Sequence, residues 1–425
     1  MANIMHTAPL ALNGGIPVRA EPLHVGETGG NYIGKEELAE LTDVISERSP
    51  FRYYGPGNPT KVAELEELFR QESGCKFALG VTSGTAALHV GLAGLGIGPG
   101  DEVILPCYTW ISCFTAIVQL RALPVFVEVD GTLALDPSDV EAKITPRTKA
   151  IMAVHFQGVA AEMDPILEIA SRHDLLVLED TAQSCGASLR GSFAGSMGDV
   201  GTFSLQMGKI VTSGEGGMVI TDDPGIYERA CRYHDLGMLR APHLEAIGGE
   251  SQVEDFCGNQ YRMNELSGAV GLAQFRKLET IKNACNSAKY RVRKQIDGLN
   301  GITLREVPDP EGDVGIEERV FLDSPEMAEG FHKALSAEGI PCGASTGSYI
   351  LYTREFVQKK RTLTGRGYPF ETPDGQAMEY GLGLCPKTEE MMSRGIVLPI
   401  GSKFTDSDAD DIIAAFLKVH SHLIG

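Results

Sequence analysis

From Phe77 onward, short continuous apolar runs alternate with stretches whose apolar residues recur at helical spacing. Phe77–Val81, Glu102–Leu105, Val125–Val129, Ala150–Phe156 and Leu175–Leu178 read as strands. Ala86–Leu95, Trp110–Leu120 and Asp164–His173 read as helices between them. Strands that are apolar on both faces and separated by helices predict a mainly parallel sheet covered on both sides. This is the α/β class. In such sheets the ligand crevice lies beyond the carboxyl ends of the strands, so polar residues that directly follow strands are the candidates for chemistry.

Further along, Met218–Ile220 predicts a strand, Pro224–Arg232 a helix and Leu239–Cys257 a long loop. A single long helix is expected from Asn264 to Ala288, with Leu266, Val270, Leu272, Phe275 and Leu278 on its apolar face. Pro308–Asp313 is a turn-rich break. Pro325–Ala337 reads as a helix and Gly395–Ile400 as a strand. Thr405-Asp406-Ser407-Asp408 opens the last helix as a capping box would. These patterns place a domain boundary near residue 285. The expectation is a large domain over 30–285, a smaller α/β domain over 286–425, and a segment 1–29 packing on the small domain or a partner subunit.

Composition narrows the function. Asp and Glu total 57 against 37 Lys and Arg, a formal charge of −20. Nucleic-acid binders carry the opposite balance, because neutralising phosphates supplies their affinity. No run of about 18 apolar residues predicts a membrane span, and Met1–Pro9 lacks the basic and apolar blocks of a signal peptide. The nine cysteines are scattered without a C-x-x-C pair. Free thiols in a reducing cytoplasm fit this better than a disulfide frame or a metal site. Glycine is in excess, 50 of 425 residues or about 12% against ~7% in ordinary proteins. Such an excess suggests tight turns or close backbone approach to a ligand.

Three constellations stand out, the first two directly after strands. Thr82-Ser83-Gly84-Thr85 stands at the start of a helix, where unpaired N–H groups and the positive dipole end suit a phosphate. Ser and Thr also serve there as plain caps. Leu178-Glu179-Asp180-Thr181-Ala182-Gln183 ends an apolar strand and puts a carboxylate in the crevice, able to hold a proton on a ring nitrogen or simply to shape a turn. Lys209, between Met207-Gly208 and Ile210-Val211, stands in an apolar setting that lowers an amine's pKa and frees it for Schiff-base chemistry. A snorkelling lysine is the plainer reading. The glycines at 94, 96, 98 and 100 follow a helix rather than open one and lack the G-x-G-x-x-G spacing, so they do not form a dinucleotide fingerprint.

The order of phosphate cradle, acid and lysine resembles the fold-type I pyridoxal-phosphate enzymes, and within them the DegT/DnrJ/EryC1/StrS sugar aminotransferases. The matching stretches are Thr82–Leu88, Gly98–Ile104, Thr145–Ile151, Glu179–Gln183, Lys209–Gly217 and Tyr261-Arg262-Met263. The resemblance implies a large domain with a mainly parallel seven-stranded sheet between helices, a smaller C-terminal domain, and pyridoxal 5'-phosphate as cofactor. It implies Lys209 as the cofactor's lysine and proton shuttle, and Asp180 as the partner of the pyridine nitrogen. Gln183 falls near the phenolic oxygen; Gly84, Thr85 and Ser204 fall on the phosphate; Trp110 falls where an aromatic ring stacks on the pyridine. His155 also falls in a family motif and reads as structural support. Arg262 matches a residue that reaches the partner's phosphate in a homodimer with shared active sites, with Gln260 standing where many members carry asparagine.

The activity so implied is transfer of an amino group from glutamate or glutamine to a keto-sugar or keto-cyclitol in aminosugar biosynthesis. Lysine at 209 separates the chain from the family's dehydratases, which have histidine there. Arg305–Asp313 and Cys385–Lys387 look like the branch acting on 8-keto-octulosonate sugars, whereas Leu12–Arg19 is similar to cyclitol and antibiotic-pathway members; a nucleotide-linked sugar is also open. The alternative is a non-enzymatic regulatory or partner subunit on the same fold.

Overall fold

The computed structural model describes residues 8–345 and 349–425, with only the backbone of Arg366. Most of the Met1–Pro9 stretch read for a leader therefore lies outside the described residues. Two helices, α1 (Lys35–Ser46) and α2 (Lys61–Ser73), precede the sheet. The chain then runs β1 (Phe77–Val81), α3 (Gly84–Gly94), β2 (Glu102–Pro106), α4 (Ile111–Gln119), β3 (Leu123–Val127) and β4 (Thr148–Val154). It continues through α5 (Met163–His173), β5 (Leu176–Asp180), β6 (Val200–Ser204) and β7 (Gly217–Thr221). These seven strands form one sheet in the order β1-β7-β6-β5-β4-β2-β3. Only β7 runs against its neighbours; the other pairings are parallel.

Alternate residues of each strand feed opposite cores, as the two-residue period of a strand requires. Phe77, Leu79, Val103, Leu105, Met152 and Val154 enter one apolar cluster. Ala78, Ile104, Ile151 and Ala153 enter the other. The expected two-sided sheet is thus present, and parallel pairing brings the carboxyl ends of β1, β2, β4, β5 and β6 to one edge.

After the sheet come α6 (Pro224–His234), α7 (Glu265–Phe275) and α8 (Leu278–Ile296). The single helix expected over 264–288 is thus two. At the break, Lys277 sends its Nζ to the Tyr32 carbonyl at 2.7 Å and to Glu37 Oε1 at 2.6 Å. The stretch read as a loop over 239–257 contains a short helix, Ala241–Ala246.

A second, antiparallel sheet is built from β8 (Thr303–Leu304), β9 (Glu317–Phe321), β10 (Gly343–Ala344) and β11 (Gly395–Pro399), ordered β8-β9-β11-β10. Helices α9 (Pro325–Ala337) and α10 (Asp406–Leu423) pack with it. Thr405 and Asp408 form the capping box expected at the start of α10. Leu10 and Leu23 of the N-terminal segment join this region's core. The aromatic stretch over 349–393 packs elsewhere: Phe370 and Tyr380 lie on Phe114, and Tyr352 on Phe126. Among the described residues, no helix is long and apolar enough to cross a membrane.

Candidate active site

At the carboxyl edge of the large sheet lies a cavity of about 480 Å³. Gly84, Thr85, Trp110, Asp180, Gln183, Ser204 and Lys209 all line it. Residues separated by up to 125 positions therefore share one chamber because each ends, or lies within a few residues after, a strand whose carboxyl end is at this edge. The exception is Arg262, which is outside this lining. Its guanidinium pairs with Asp235 and lies over the Phe51 ring, and its backbone bridges Val81.

The wall formed by α3 is held by Ser83, whose hydroxyl accepts the Ala86 N–H at 3.1 Å. Ser83 is thus the cap, and capping does not compete with the cradle. The first-turn N–H groups of Gly84 and Thr85, for which a helix has no internal acceptor, remain at the cavity wall. Thr85 Oγ1 lies 2.8 Å from Ser112 Oγ. Glycine is needed at 84 for close approach: a Cβ there would stand 2.5 Å from Ser204 Cβ. Helix terminus and Ser204 hydroxyl therefore converge on one small volume, which suits a phosphate.

Across the cavity, Asp180 ends β5 and is 4% exposed. Its Oδ1 accepts the Ala182 N–H at 3.0 Å, and its Oδ2 accepts the Cys113 thiol at 3.0 Å. Lys209 stands on a loop fixed at both backbone ends. Its N–H donates to the Gln206 carbonyl, and its carbonyl accepts the Gly29 N–H, each at 2.9 Å. Burial pulls the Lys209 ammonium below its ordinary value, against the opposing attraction of Asp180. No hydrogen bond or ion pair among the described residues holds its Nζ. One end of the Gln183 amide is buried without a partner.

An orphaned buried amide, a phosphate-sized cradle, a buried carboxylate and an unclaimed desolvated amine together fit pyridoxal phosphate. Gly84, Thr85 and Ser204 would hold its phosphate, Asp180 its ring nitrogen and Lys209 its carbonyl carbon. Trp110 is 50% exposed and presents its indole to the same chamber. His155 is fully buried with both ring nitrogens committed, one to Glu179 Oε2 at 2.7 Å and one accepting the Ala161 N–H at 3.0 Å. It supports the strand ends rather than the cavity.

Sequence reasoning missed several cavity residues. Gln157 carries a signal, being polar and directly after β4, and it adopts φ 49° before Gly158. Ser112 and Glu215 lie within segments already singled out. Tyr349 carried none; it is brought in from far along the chain by its carbonyl, which accepts the Thr109 N–H at 3.0 Å. Buried Cys107, Glu128 and Cys385 also cluster, but Glu128 there accepts the N–H groups of Lys387 and Thr388 and the Thr388 hydroxyl. That carboxylate caps the helix Pro386–Ser393.

Comparison with known proteins adds to this geometry. The chain is 42% identical over 219 residues to GDP-perosamine synthase of Caulobacter vibrioides, a match spanning 51% of this chain and 57% of the synthase. It is 32% identical over 395 residues to the uncharacterized protein MJ1066 of Methanocaldococcus jannaschii, covering 92% of this chain and 96% of that one. The crystal structure of S. venezuelae DesV in complex with a ketimine intermediate superimposes with a TM-score of 0.71 at 29% identity, over 89% of this chain and 93% of DesV. Residues 31–417 match the DegT/DnrJ/EryC1/StrS aminotransferase family, and the chain belongs to this pyridoxal-phosphate-dependent family.

Proposed function

We propose that this aminotransferase moves an amino group from glutamate or glutamine to the ketone of a sugar or cyclitol during aminosugar biosynthesis. The observation that carries the reading is Lys209, a desolvated amine whose Nζ no hydrogen bond or ion pair holds among the described residues, in one cavity with Asp180 and the α3 N-terminus. Bound pyridoxal phosphate supplies a reactive carbonyl and an electron-withdrawing ring. The N–H groups of Gly84 and Thr85 and the Ser204 hydroxyl bind the phosphate. Asp180 keeps a positive charge at the ring nitrogen by fixed electrostatics. Lys209 Nζ, held towards its neutral form by burial, takes a proton from the donor's α-carbon and returns one to the acceptor's carbon. The Gln183 side chain would lie near the phenolic oxygen with Nε2 as the donor to it, and its Oε1, unpaired in the protein alone, would accept from the ligand.

In the proposed homodimer, Arg262 serves the partner's phosphate; its Nε is buried without an acceptor in the single protomer, which supports that role. Nine free thiols fit a reducing compartment such as the cytoplasm. The acceptor class includes nucleotide-linked keto-sugars, which the likeness to a GDP-perosamine synthase supports, and the 8-keto-octulosonate type.

The test is spectroscopic. Purified protein loaded with cofactor should show a visible lysine–cofactor band that borohydride traps on Lys209. Lys209→Ala should lose the band and at least about 10³-fold of the turnover, since the nucleophile and the proton shuttle vanish together. Glutamate or glutamine should discharge the band, and a panel of GDP-linked, octulosonate and cyclitol ketones should restore it with one acceptor class. A band that no amino donor discharges would sink the proposal.

A further inference from the structure

Asp180 is touched by a side chain that does not line the cavity. Cys113, in the first turn of α4, is fully buried, and its thiol donates to Asp180 Oδ2 at 3.0 Å, with Thr109 Oγ1 3.5 Å from the same sulfur. Burial and the adjacent carboxylate push the Cys113 thiol well above its usual range, so it stays protonated; its one hydrogen goes to Asp180, and towards Thr109 Oγ1 the sulfur is the acceptor. An ionised carboxylate offers about four lone-pair positions. Here the Ala182 N–H takes one on Oδ1 and the thiol one on Oδ2, and the cavity has the remainder.

We propose that Cys113 is a positioning residue for transamination: its S–H, donated to Asp180 Oδ2, fixes the carboxylate's orientation and limits its basicity, so that the shared proton stays on the cofactor's ring nitrogen. The inference rests on the reading that Asp180 faces that nitrogen. The physical argument is one of competition. A carboxylate stripped of a donor in a buried site holds a proton more tightly. A more basic Asp180 draws the proton off the ring, the ring withdraws electrons less strongly, and the lysine–cofactor nitrogen then keeps its own proton to higher pH. A thiol is a weaker donor than a hydroxyl, so the native pair leaves Asp180 between two extremes that substitution can reach.

The experiment is a pH titration of the visible band of the loaded enzyme. Cys113→Ala, which removes the donor, should raise the titration midpoint by about 0.5–1 pH unit, less than the roughly 1–2 units of a full hydrogen bond to a charged group because a thiol is a weak donor. Cys113→Ser, which keeps a donor, should return the midpoint to the wild-type value or below it, and should restore kcat where the alanine variant lowers it. Cys113→Val fills the space without a donor and replaces the alanine variant if that chain does not fold, thermal unfolding of the apoprotein being the check. Equal shifts in the serine and donor-free variants, or no shift in either, would overturn the role of Cys113. Asp180→Asn separates this from the underlying reading. If that variant keeps the wild-type band and cofactor affinity, Asp180 does not face the ring nitrogen and both ideas fail. If its band changes while the Cys113 variants do not move, only the role of Cys113 fails.

Discussion

Around the small antiparallel sheet, buried charges come in matched sets, except for Arg305, whose guanidinium donates only to the Thr132 and Phe156 carbonyls and leaves Nη1 unpaired. Lys289 pairs with Asp313, Arg293 with Glu318 at 2.9 Å, Arg319 with Glu317 at 2.6 Å and Lys418 with Glu338 at 2.9 Å. Asp313 takes further donors from Tyr290 Oη and the Gly315 N–H. At the carboxyl edge of the large sheet, no ion pair among the described residues holds Lys209, which feels Asp180 only at longer range, and one end of the Gln183 amide has no hydrogen bond at all. Single unpaired atoms also occur away from the cavity, at Glu265 Oε1 and Gln274 Oε1, but at the cavity an unpaired amide oxygen and an unheld amine share one chamber, and that convergence suits a ligand. Unpaired buried groups cost stability, and function is the usual reason they persist.

The contrast can be broken from either side. The largest effect should come from the matched region. Lys289→Met leaves Asp313 buried and uncompensated, and should lower unfolding stability by about 3–5 kcal/mol; chemical denaturation of the apoprotein measures this. Adding Asp313→Leu should recover only part of the loss, because the ion pair is then removed as a unit but Tyr290 Oη and the Gly315 N–H lose their acceptor. If the single variant were neutral, the matched region would not be structural.

The buried histidines should respond next. Burial holds His89 and His234 down to about 4. Below pH ~6.5 the unfolded chain binds protons that these folded histidines refuse, so stability should fall as pH drops from 6.5 to 4 and level off beneath. The expected loss is on the order of 3 kcal/mol per histidine, read from melting curves across that window. His89→Phe should flatten part of the slope.

Within the cavity the effects should be smaller on stability and fall on ligand binding. Gly84→Ala forces a Cβ against Ser204 and should weaken cofactor affinity about 10–100-fold, roughly 1–3 kcal/mol, by displacing the phosphate cradle. Fluorescence titration of the apoprotein tests it. The smallest effect should have the opposite sign. Gln183→Leu removes an unsatisfied amide and should stabilise the apoprotein by about 1 kcal/mol while reducing turnover. Loss of stability in this variant would mean that the amide is structural.

Much of the site was legible because local rules and function coincide there. A helix beginning right after a strand put Ser83-Gly84-Thr85 at the sheet's carboxyl edge, and Asp180 lies just after an apolar run that marks a buried strand, whereas the strand ending at Ser204 was not legible in its mixed Val200-Gly201-Thr202-Phe203-Ser204 sequence. What stayed hidden depended on contacts between distant segments. The break at Arg276–Lys277 leaves the hydrophobic period nearly undisturbed, and Lys277 there is engaged by Tyr32 and Glu37 of the N-terminal region. Asp313 reads as part of a turn and is in fact a buried ion-pair partner. Cys113 reads as one scattered thiol, and its donation to Asp180 needs α4 and β5 side by side.

The sequence by itself determined the α/β class, the two-sided parallel sheet and the order of cradle, acid and lysine, because strand and helix periods and the residues after strands are local properties. The tertiary structure alone decided which groups were left unpaired. Whether Lys209 meets a counterion, whether Gln183 finds a donor and whether Arg262 faces its own cavity are outcomes of desolvation and distance between segments far apart in the chain. Those quantities exist only once the chain has folded.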